Sequence, residues 1–372
     1  MIKPLIRKCN KEDIPKVIEF FKKNWSPNHI FAKDPNFMKW QLNPKRSKHF
    51  TDSGLAALTI WNNDNLEGFQ GLIPSSFSVL GKISDGYWLC NLSVSNKFRP
   101  HGFGVRLMSE VLKLPVNNIA VSGINNKIFN FYKFMNYHTI DQLNRYICIT
   151  DIQLMNELAE NYIFSEKNTK QLKYNYKLEK KLNLIIKELN FNKKDWDSYS
   201  KGICNKNYIG TYRNYDYIKW RYIEHPYFNY KIITLKNDKD IILGHAIYRF
   251  EKILNMNIDI LRIIEINSLN QNYSEGLISY IENIACKSGV AFIDYFFSQN
   301  FTALEKRYGW FKESKKQEFV IPSLFQPLNR NAHYINSAIK IKNLKNYKLS
   351  EELPFSYSIY KSDGDQDRPN LL

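Results

Sequence analysis

The stretch that decides the fold runs from Leu89 to Met108 and reads LCNLSVSNKFRPHGFGVRLM. An apolar strand, Leu89–Val94, leads into Arg99-x-x-Gly102-x-Gly104, and an amphipathic helix begins there. Glycines lack a Cβ atom, so successive backbone N–H groups at such a junction can point at an anion on the helix N-terminus. The stretch therefore predicts an anion-binding loop between a strand and a helix.

A dinucleotide-binding loop fits this stretch poorly. The Rossmann pattern needs a third glycine, and Arg106 occupies the place where that glycine could fall. No acidic residue follows near the end of a next strand. These two departures disfavour a nicotinamide or flavin dinucleotide as the ligand.

Composition removes several classes of protein. A chain of 372 residues predicts two or three domains, and 44% apolar with 15% aromatic residues exclude disorder as the main state. Five cysteines without a Cys-x-x-Cys pair argue against a disulfide framework and a structural zinc site. We find no signal peptide and no run of 18 apolar residues. We therefore expect a cytoplasmic protein without a membrane span and without a metal.

The formal net charge of +17 permits two interpretations. Only 12 of the 53 basic residues are arginine, the residue that nucleic-acid and phosphate recognition favours, and the lysines are spread along the chain. One interpretation is a solvated, lysine-rich surface. The other is a cleft whose summed field attracts anionic small molecules such as nucleotides or coenzyme A.

The chain contains a repeat. Asn36–Gln41 and Asp216–Arg221 both carry an aromatic residue, an apolar residue and then Lys-Trp, with Trp40 and Trp220 lying 180 positions apart. A helix ending at Phe131–Tyr137 corresponds in the same order to Leu304–Trp310. These matches predict two copies of one fold.

The stretch around Gly102 resembles the pyrophosphate loop of the GCN5-related N-acetyltransferases (GNAT superfamily). A second motif of that superfamily follows in register: Asn125, then Phe131-Tyr132, then Asn136-Tyr137 where Gly-Phe is usual. The resemblance covers residues 1–150 and, more faintly, 182–322. It implies an α/β fold of two GNAT-like domains in tandem, each a central mixed twisted sheet flanked by helices.

The two copies are predicted to differ in function. We expect an N-terminal domain that binds acyl-CoA (1–150), a connector (151–183), a degenerate GNAT-like domain that acts as an acceptor-side scaffold (184–345) and a C-terminal tail (346–372). In the second copy the glycine loop is replaced by a segment in which Glu275 would repel a phosphate, and Glu305 stands at the position of Tyr132. One acyl-CoA site is therefore expected, in the first copy.

The resemblance implies the roles of the site residues. Backbone amides from Gly102 to Arg106 would hold the CoA pyrophosphate, the pantetheine arm would pair with the strand Leu92–Val94, and an amine would attack the thioester directly. Tyr132 would protonate the leaving thiolate, unless it only packs against the cofactor. The implied cofactor-binding residues are Leu92, Val94, Arg99, His101, Gly102, Phe103, Gly104, Val105, Arg106, Asn125 and Phe131.

For the general base and for the residue that binds the thioester carbonyl, the sequence offers several candidates. His29 and His101 titrate in the useful range, although His101 lies inside the phosphate loop and water can also relay the proton. Asn91 could bind the acceptor or the carbonyl oxygen, or be structural. His29 and Asp34 also have the His-x4-Asp spacing of glycerolipid acyltransferases, but the partner motif of that family and a membrane segment are missing.

The stretch Trp25–Gln41 resembles a narrower group, the bacterial tandem-GNAT acyltransferases of nucleotide-linked amino sugars for O-antigen, lipopolysaccharide, capsule or S-layer glycans. The tail Asp363–Pro369 resembles it as well; its alternative is an acidic disordered end. The implied acceptor is a dTDP-linked deoxyhexose with an amine at C3 or C4, and the acyl group is acetyl or a short 3-hydroxyacyl such as 3-hydroxybutanoyl. Candidate acceptor-binding residues are His29, Trp40, Gln41, Trp220 and Arg221.

Two other functions stay open. A transferase of the peptidoglycan cross-bridge type would use aminoacyl-tRNA and the positive charge, but it does not need the intact glycine loop. A non-catalytic, basic nucleic-acid-binding protein would show strongly salt-dependent binding and no thioester turnover. We expect no stable nucleic-acid partner, and the oligomeric state is left open.

Overall fold

The computed structural model describes residues 4–159, 162–173, 185–188, 192–204, 207–343 and 357–369. The strands are β1 Leu5–Lys8, β2 Ala57–Asn62, β3 Asn65–Val79, β4 Lys82–Val94, β5 Asn118–Ser122, β6 His138–Ile140, β7 Asn144–Ile149, β8 Ile185–Glu188, β9 Ile209–Thr211, β10 Lys231–Lys236, β11 Ile242–Lys252, β12 Asp259–Ser268, β13 Phe292–Phe297, β14 Trp310–Lys312, β15 Leu324–Phe325, β16 Leu328–Asn329, β17 Ser337–Ile341 and β18 Tyr357–Ser358. The helices are α1 Ile14–Asn24, α2 Ile30–Lys33, α3 Pro35–Gln41, α4 Phe103–Lys113, α5 Asn126–Phe134, α6 Ile152–Leu158, α7 Lys193–Ile203, α8 Tyr215–Ile218, α9 Gln271–Ser288 and α10 Thr302–Glu305.

Two mixed sheets carry the fold. The first has the order β1-β2-β3-β4-β5-β17-β6, with β9 paired to the far end of β3 and β18 paired to β9. The second has the order β14-β7-β13-β12-β11-β10-β8, and β15 and β16 form a small separate pair. Each large sheet has a parallel pair at its centre, β4 with β5 and β12 with β13, and the short strands β9 and β18 of the first sheet are also parallel. The two sheets therefore share the same local arrangement, as a repeated fold requires.

Each sheet contains a strand from the other copy. The last strand within the range 1–150, β7, lies in the second sheet between β13 and β14. In return β17, which belongs to the range 184–345, lies in the first sheet between β5 and β6. Ala338 and Ile339 of β17 are fully buried there, so the exchange completes the first core. The division into domains at residue 150 stays a prediction. In the structure β7 and β17 each pair with strands of the other predicted domain.

The repeated Lys-Trp motif joins the two copies. The rings of Trp40 and Trp220 stack with centroids 5.1 Å apart, and Trp220 Nε1 donates a hydrogen bond to the carbonyl of Trp40 at 3.3 Å. One apolar cluster includes buried residues of both copies, for example Phe69 and Ile247. The two copies thus share a continuous core. Within the part of the chain that the structure describes, no helix combines the length and apolar character needed to cross a membrane.

Candidate active site

The candidate site begins where the pairing of β4 with β5 ends. The parallel pairing of β4 with β5 extends only from Gly86 to Leu89, and among the described residues β4 has no strand partner on that side beyond this point. A register shift between Phe69 and Gly71 marks an irregularity opposite Asn91, whose φ of 53° is left-handed. The strand edge at Leu92–Val94, predicted to pair with the pantetheine arm, therefore has no strand partner there among the described residues, and the Val94 carbonyl accepts a hydrogen bond from Arg99 Nε at 2.9 Å.

The predicted anion loop lies directly after this edge. Gly102 has φ +72° and is the N-cap of α4, which carries no side-chain cap, so the amides of the first helical turn lack intrahelical acceptors. A Cβ atom at Gly102 would meet no atom within 4 Å, and one at Gly104 only Val94 Cγ2 at 3.9 Å. The helix N-terminus thus faces open space, which is the geometry that binds an anion.

The corresponding helix of the second copy is closed. Asn270 is the N-cap of α9, and its side chain accepts a hydrogen bond from the amide of Tyr273 at 3.2 Å. Glu305 accepts a hydrogen bond from the Tyr146 hydroxyl at 2.9 Å. The second helix N-terminus is therefore capped by its own side chain where the first is not.

The predicted cofactor residues fall into three groups. Phe103 is buried and stacks on Phe98 at 4.7 Å, so only its backbone can serve a ligand. Arg99 donates from Nε to the Val94 carbonyl at 2.9 Å, and Asn125 caps α5 by accepting from the amide of Lys127. Val94 is buried like Phe103; the exposed members of the predicted set are Arg99, His101, Val105, Arg106 and Asn125, and the half-buried ones are Leu92, Gly102, Gly104 and Phe131.

Asn91 and His29 are held by an arginine of the tail. Arg368 Nη1 donates to Asn91 Oδ1 at 2.7 Å, which fixes that atom as oxygen because a guanidinium can only donate. His29 Nε2, at 3.2 Å from the same oxygen, must then carry the proton, and Nδ1 accepts from the amide of Phe31. Both ring nitrogens of His29 are in use.

This geometry corrects the role considered for His29. The ring has no free nitrogen with which to take a proton, and burial, aided by the charge of Arg368, lowers its pKa to about 3. In this geometry His29 orients Asn91 and offers no free nitrogen lone pair to an incoming proton, which argues against a role as base. It also makes no dyad with Asp34, which caps α3 and accepts from the Tyr227 hydroxyl.

Asn91 retains an unused donor. With Oδ1 facing Arg368 and His29, its Nδ2 is buried and has no acceptor among the described residues. A buried amide donor without a partner costs free energy, which a ligand oxygen can recover. Binding of a carbonyl oxygen by Asn91 stays a prediction, which the unpaired Nδ2 supports.

Tyr132 lies beside a carboxylate that the sequence analysis did not assign. Burial and, second, the charge of Asp365 raise the pKa of the Tyr132 hydroxyl, so it stays protonated and can act as a proton donor. Asp365 is buried, and its Oδ2 accepts from Arg368 Nη1 at 2.9 Å. Asp365 and Arg368 also line a cavity of about 210 Å³ together with residues of the second copy.

The tail is an ordered part of the site. Gln366 Nε2 donates to the Ser122 carbonyl at 3.1 Å and lies so close to Gly123 that a Cβ there would clash. Asp363 accepts from Arg213, and Asp367 accepts from Arg249 at 2.8 Å. The alternative of a disordered tail is therefore wrong for 357–369. The alternation of acids at 363, 365 and 367 was the only sign in the sequence of these buried partners.

Three of the predicted acceptor-binding residues, Trp40, Trp220 and Arg221, contact other residues of the protein. Besides the stacked Trp40 and Trp220, Arg221 is buried and donates to the carbonyls of Ser362 and Asp367. Gln41 is buried, with its Oε1 unpaired among the described residues. Contact of these four side chains with an acceptor stays a prediction. No cluster of potential metal ligands occurs in the described ranges.

Comparison with solved structures decides the fold. A GCN5-related N-acetyltransferase from Anabaena variabilis superposes with a TM-score of 0.60 and 11% identity over 92% of this chain and 74% of that one. The chain has a GNAT-like fold. A probable N-acyltransferase of unknown function from Enterococcus faecalis gives 0.55 and 11% over 90% and 72%. Saccharomyces cerevisiae N-myristoyltransferase with bound myristoyl-CoA gives 0.51 and 11% over 92% and 79%.

The predicted fold class is thereby confirmed. The sequence itself matches no protein-family model and no curated protein. At these identities the likeness shows the fold alone, so activity has to be argued from the site.

Proposed function

We propose that this protein is an acyl-CoA-dependent N-acyltransferase that acts on the amine of a nucleotide-linked amino-deoxyhexose, most simply a dTDP sugar. The observation that carries the proposal is the uncapped, open N-terminus of α4 beside the unpaired edge of β4. Its counterpart in the second copy is capped, which supports one acyl-CoA site for two domains.

The residues present can perform the transfer. The first-turn amides of α4 bind the CoA pyrophosphate, and the Leu92–Val94 edge holds the pantetheine arm. The acceptor amine attacks the thioester carbon; a C–N bond forms while the C–S bond breaks. Asn91 Nδ2 donates to the carbonyl oxygen, Asp365 takes the proton that the amine loses, and Tyr132 protonates the departing thiolate.

The nucleotide-sugar acceptor rests on two segments that meet in space. The Trp25–Gln41 stretch and the Asp363–Pro369 tail carry the resemblance to amino-sugar acyltransferases. Arg368 of the tail lies 5.9 Å from the ring centroid of Trp25 and bonds to the same Asn91 that His29 holds. The setting that follows is the cytoplasmic synthesis of a surface polysaccharide such as O-antigen.

Thiol release tests the proposal. The purified protein is incubated with acetyl-CoA or 3-hydroxybutanoyl-CoA and with dTDP-linked 3-amino or 4-amino hexoses, and free CoA is quantified. We expect release only when both substrates are present. No CoA binding, together with strong tRNA binding, would instead favour the aminoacyl-tRNA or nucleic-acid-binding function.

Tyr132→Phe tests the acid. The substitution removes one hydroxyl from a buried ring, and we expect kcat to fall about 10²-fold with the KM for acyl-CoA unchanged, because general acid catalysis typically contributes 10²–10⁴-fold. An unchanged kcat in a folded variant would leave Tyr132 with a packing role only.

A further inference from the structure

A second cavity lies where the two copies meet. It has a volume of about 410 Å³ and is lined by the segment after α3, by the middle of β3 and β4, and by the chain between Tyr212 and Tyr217. None of the residues that the proposed transfer uses lines it. The wall includes Arg46, Lys48, Tyr87 and Asn214.

Arg46 is an unpaired cation in this wall. Its Nη1 is buried and has no acceptor among the described residues, and its Cζ lies 3.5 Å from the centroid of the Trp220 ring. Burial, together with the nearby positive charge of Arg221, lowers the pKa of Arg46 to about 10. A guanidinium withdrawn from water without an anion is costly, and an anionic ligand would recover that cost.

The acids of the cavity are already engaged. Asp85 pairs with Lys48 at 3.0 Å, and Asp216 pairs with Lys193 at 2.7 Å. The charge of Asp216 also acts on Arg46, but Arg46 forms no ion pair with either acid among the described residues, so its guanidinium donors are left for a ligand. Stacking on Trp220 fixes the plane of the guanidinium, which suits the paired oxygens of a phosphate or carboxylate.

We propose that this cavity is an oxyanion site in which Arg46 holds a phosphate group of a nucleoside diphosphate. Where the proposed function holds, that phosphate belongs to the nucleotide-linked acceptor, and this part of the inference rests on it. The oxyanion site itself does not depend on acyl transfer.

Calorimetric titration tests the site. Pyrophosphate, dTDP and thymidine are titrated into the protein saturated with CoA, so that the α4 N-terminus is occupied. We compare wild type with Arg46→Gln and with Lys45→Gln, a control that removes one positive charge from the exposed neighbour. We expect the Kd for dTDP to rise at least tenfold in Arg46→Gln and less than twofold in Lys45→Gln.

Other outcomes have defined meanings. Equal affinity of wild type and Arg46→Gln, or equal weakening by Lys45→Gln, overturns the site. If dTDP binds more tightly than pyrophosphate and thymidine does not bind, the phosphate comes from a nucleotide. If dTDP and pyrophosphate bind with equal affinity, the oxyanion site is supported but its assignment to a nucleotide is overturned. If Arg46→Gln does not fold, Arg46→Lys keeps the charge without the planar donors and must still bind dTDP more weakly. Absence of CoA binding refutes the proposed function while the Arg46 comparison still decides this site.

Discussion

At position 104 alanine should favour the stability of the helix, whereas glycine should favour the binding of CoA. The position lies in the first turn of α4, and a Cβ there approaches only Val94 Cγ2 at 3.9 Å. Gly104→Ala should therefore raise the free energy of unfolding by up to about 1 kcal/mol, the difference in helix propensity. The same methyl group occupies the space in front of the amides, so we expect CoA to bind at least tenfold more weakly.

Urea unfolding and calorimetry measure the two effects separately. Val105→Ala is the matched control, because it keeps the amide of an exposed neighbour and should leave CoA affinity unchanged. A Gly104→Ala variant that binds CoA like wild type would contradict the assignment of this loop.

Two buried histidines should make the fold sensitive to acid. Burial lowers the pKa of His29 and of His225 to about 3, so between pH 6.5 and 3 the unfolded chain binds protons that the folded chain does not. Stability is therefore complete above pH 6.5 and falls as the pH decreases, by up to about 1.4 kcal/mol per pH unit for each histidine.

The variant His29→Asn isolates one of these contributions. Asparagine can still accept the hydrogen bond from the amide of Phe31 at the start of α2 but does not titrate. We expect urea unfolding between pH 7 and 5 to show a shallower loss of stability with acidification than wild type. Equal slopes for the two proteins would refute the buried neutral state of His29.

At the scale of elements, the tail segment 357–369 builds the site instead of only covering it. Arg368 joins Asn91 to Asp365 and is a positioning residue. Arg368→Gln should lower kcat at least tenfold and leave the KM for acyl-CoA unchanged, because the carbonyl donor and the base lose their alignment. Asp365 is buried, so the loss of its charged partner should also lower the free energy of unfolding, and kcat is measured at a temperature at which the variant is folded.

Steady-state kinetics check this prediction, and Arg368→Lys is the conservative comparison. Lysine can keep one of the two contacts, so partial recovery of kcat is expected. Equal loss in both variants together with a raised KM would point to a collapsed cofactor site and against positioning.

Local patterns predicted the elements that local residues determine. The strand predicted at Leu89–Val94 lies within β4, and the helix predicted to follow the glycine loop is α4, because apolar spacing and the glycines are visible in sequence. The pairing of β17 with β5 and the bond of Gln366 to Ser122 were not predicted. These partners lie more than 200 residues apart in sequence, so neither periodicity nor spacing indicates the contact.

The same reason explains the missed side chains. Arg46 has no motif around it, and the resemblance of the tail assigned no role to Asp365 or Arg368. Arg46 and Arg368 obtain their neighbours, Trp220 and Asn91, from distant segments. The glycine loop could be predicted because strand, loop and helix are consecutive in the chain. Contacts that depend on strands exchanged between the two copies cannot be predicted from any one local stretch of sequence.

At the scale of the whole molecule, the exchange of β7 and β17 makes each sheet depend on the other. The first sheet lacks its link between β5 and β6 without β17, and the second lacks its link between β13 and β14 without β7. The shared core around Trp40 and Trp220 adds to this dependence. The two copies should therefore unfold as one cooperative unit, although each has the outline of a domain.

Hydrogen exchange in increasing denaturant tests this cooperativity. We expect the amides of β5 and of β13 to exchange through the same global opening, with equal free energy. Ile339→Ala removes a fully buried side chain from β17 and should cost about 2–5 kcal/mol. β17 belongs to the first sheet. If the amides of β13 lose as much protection free energy as those of β5, the two copies are coupled. Unchanged protection in β13 would show that the copies open independently. Ile233→Ala in β10, equally buried in the second sheet, is the matched control and should lower the protection of β5 in the same way.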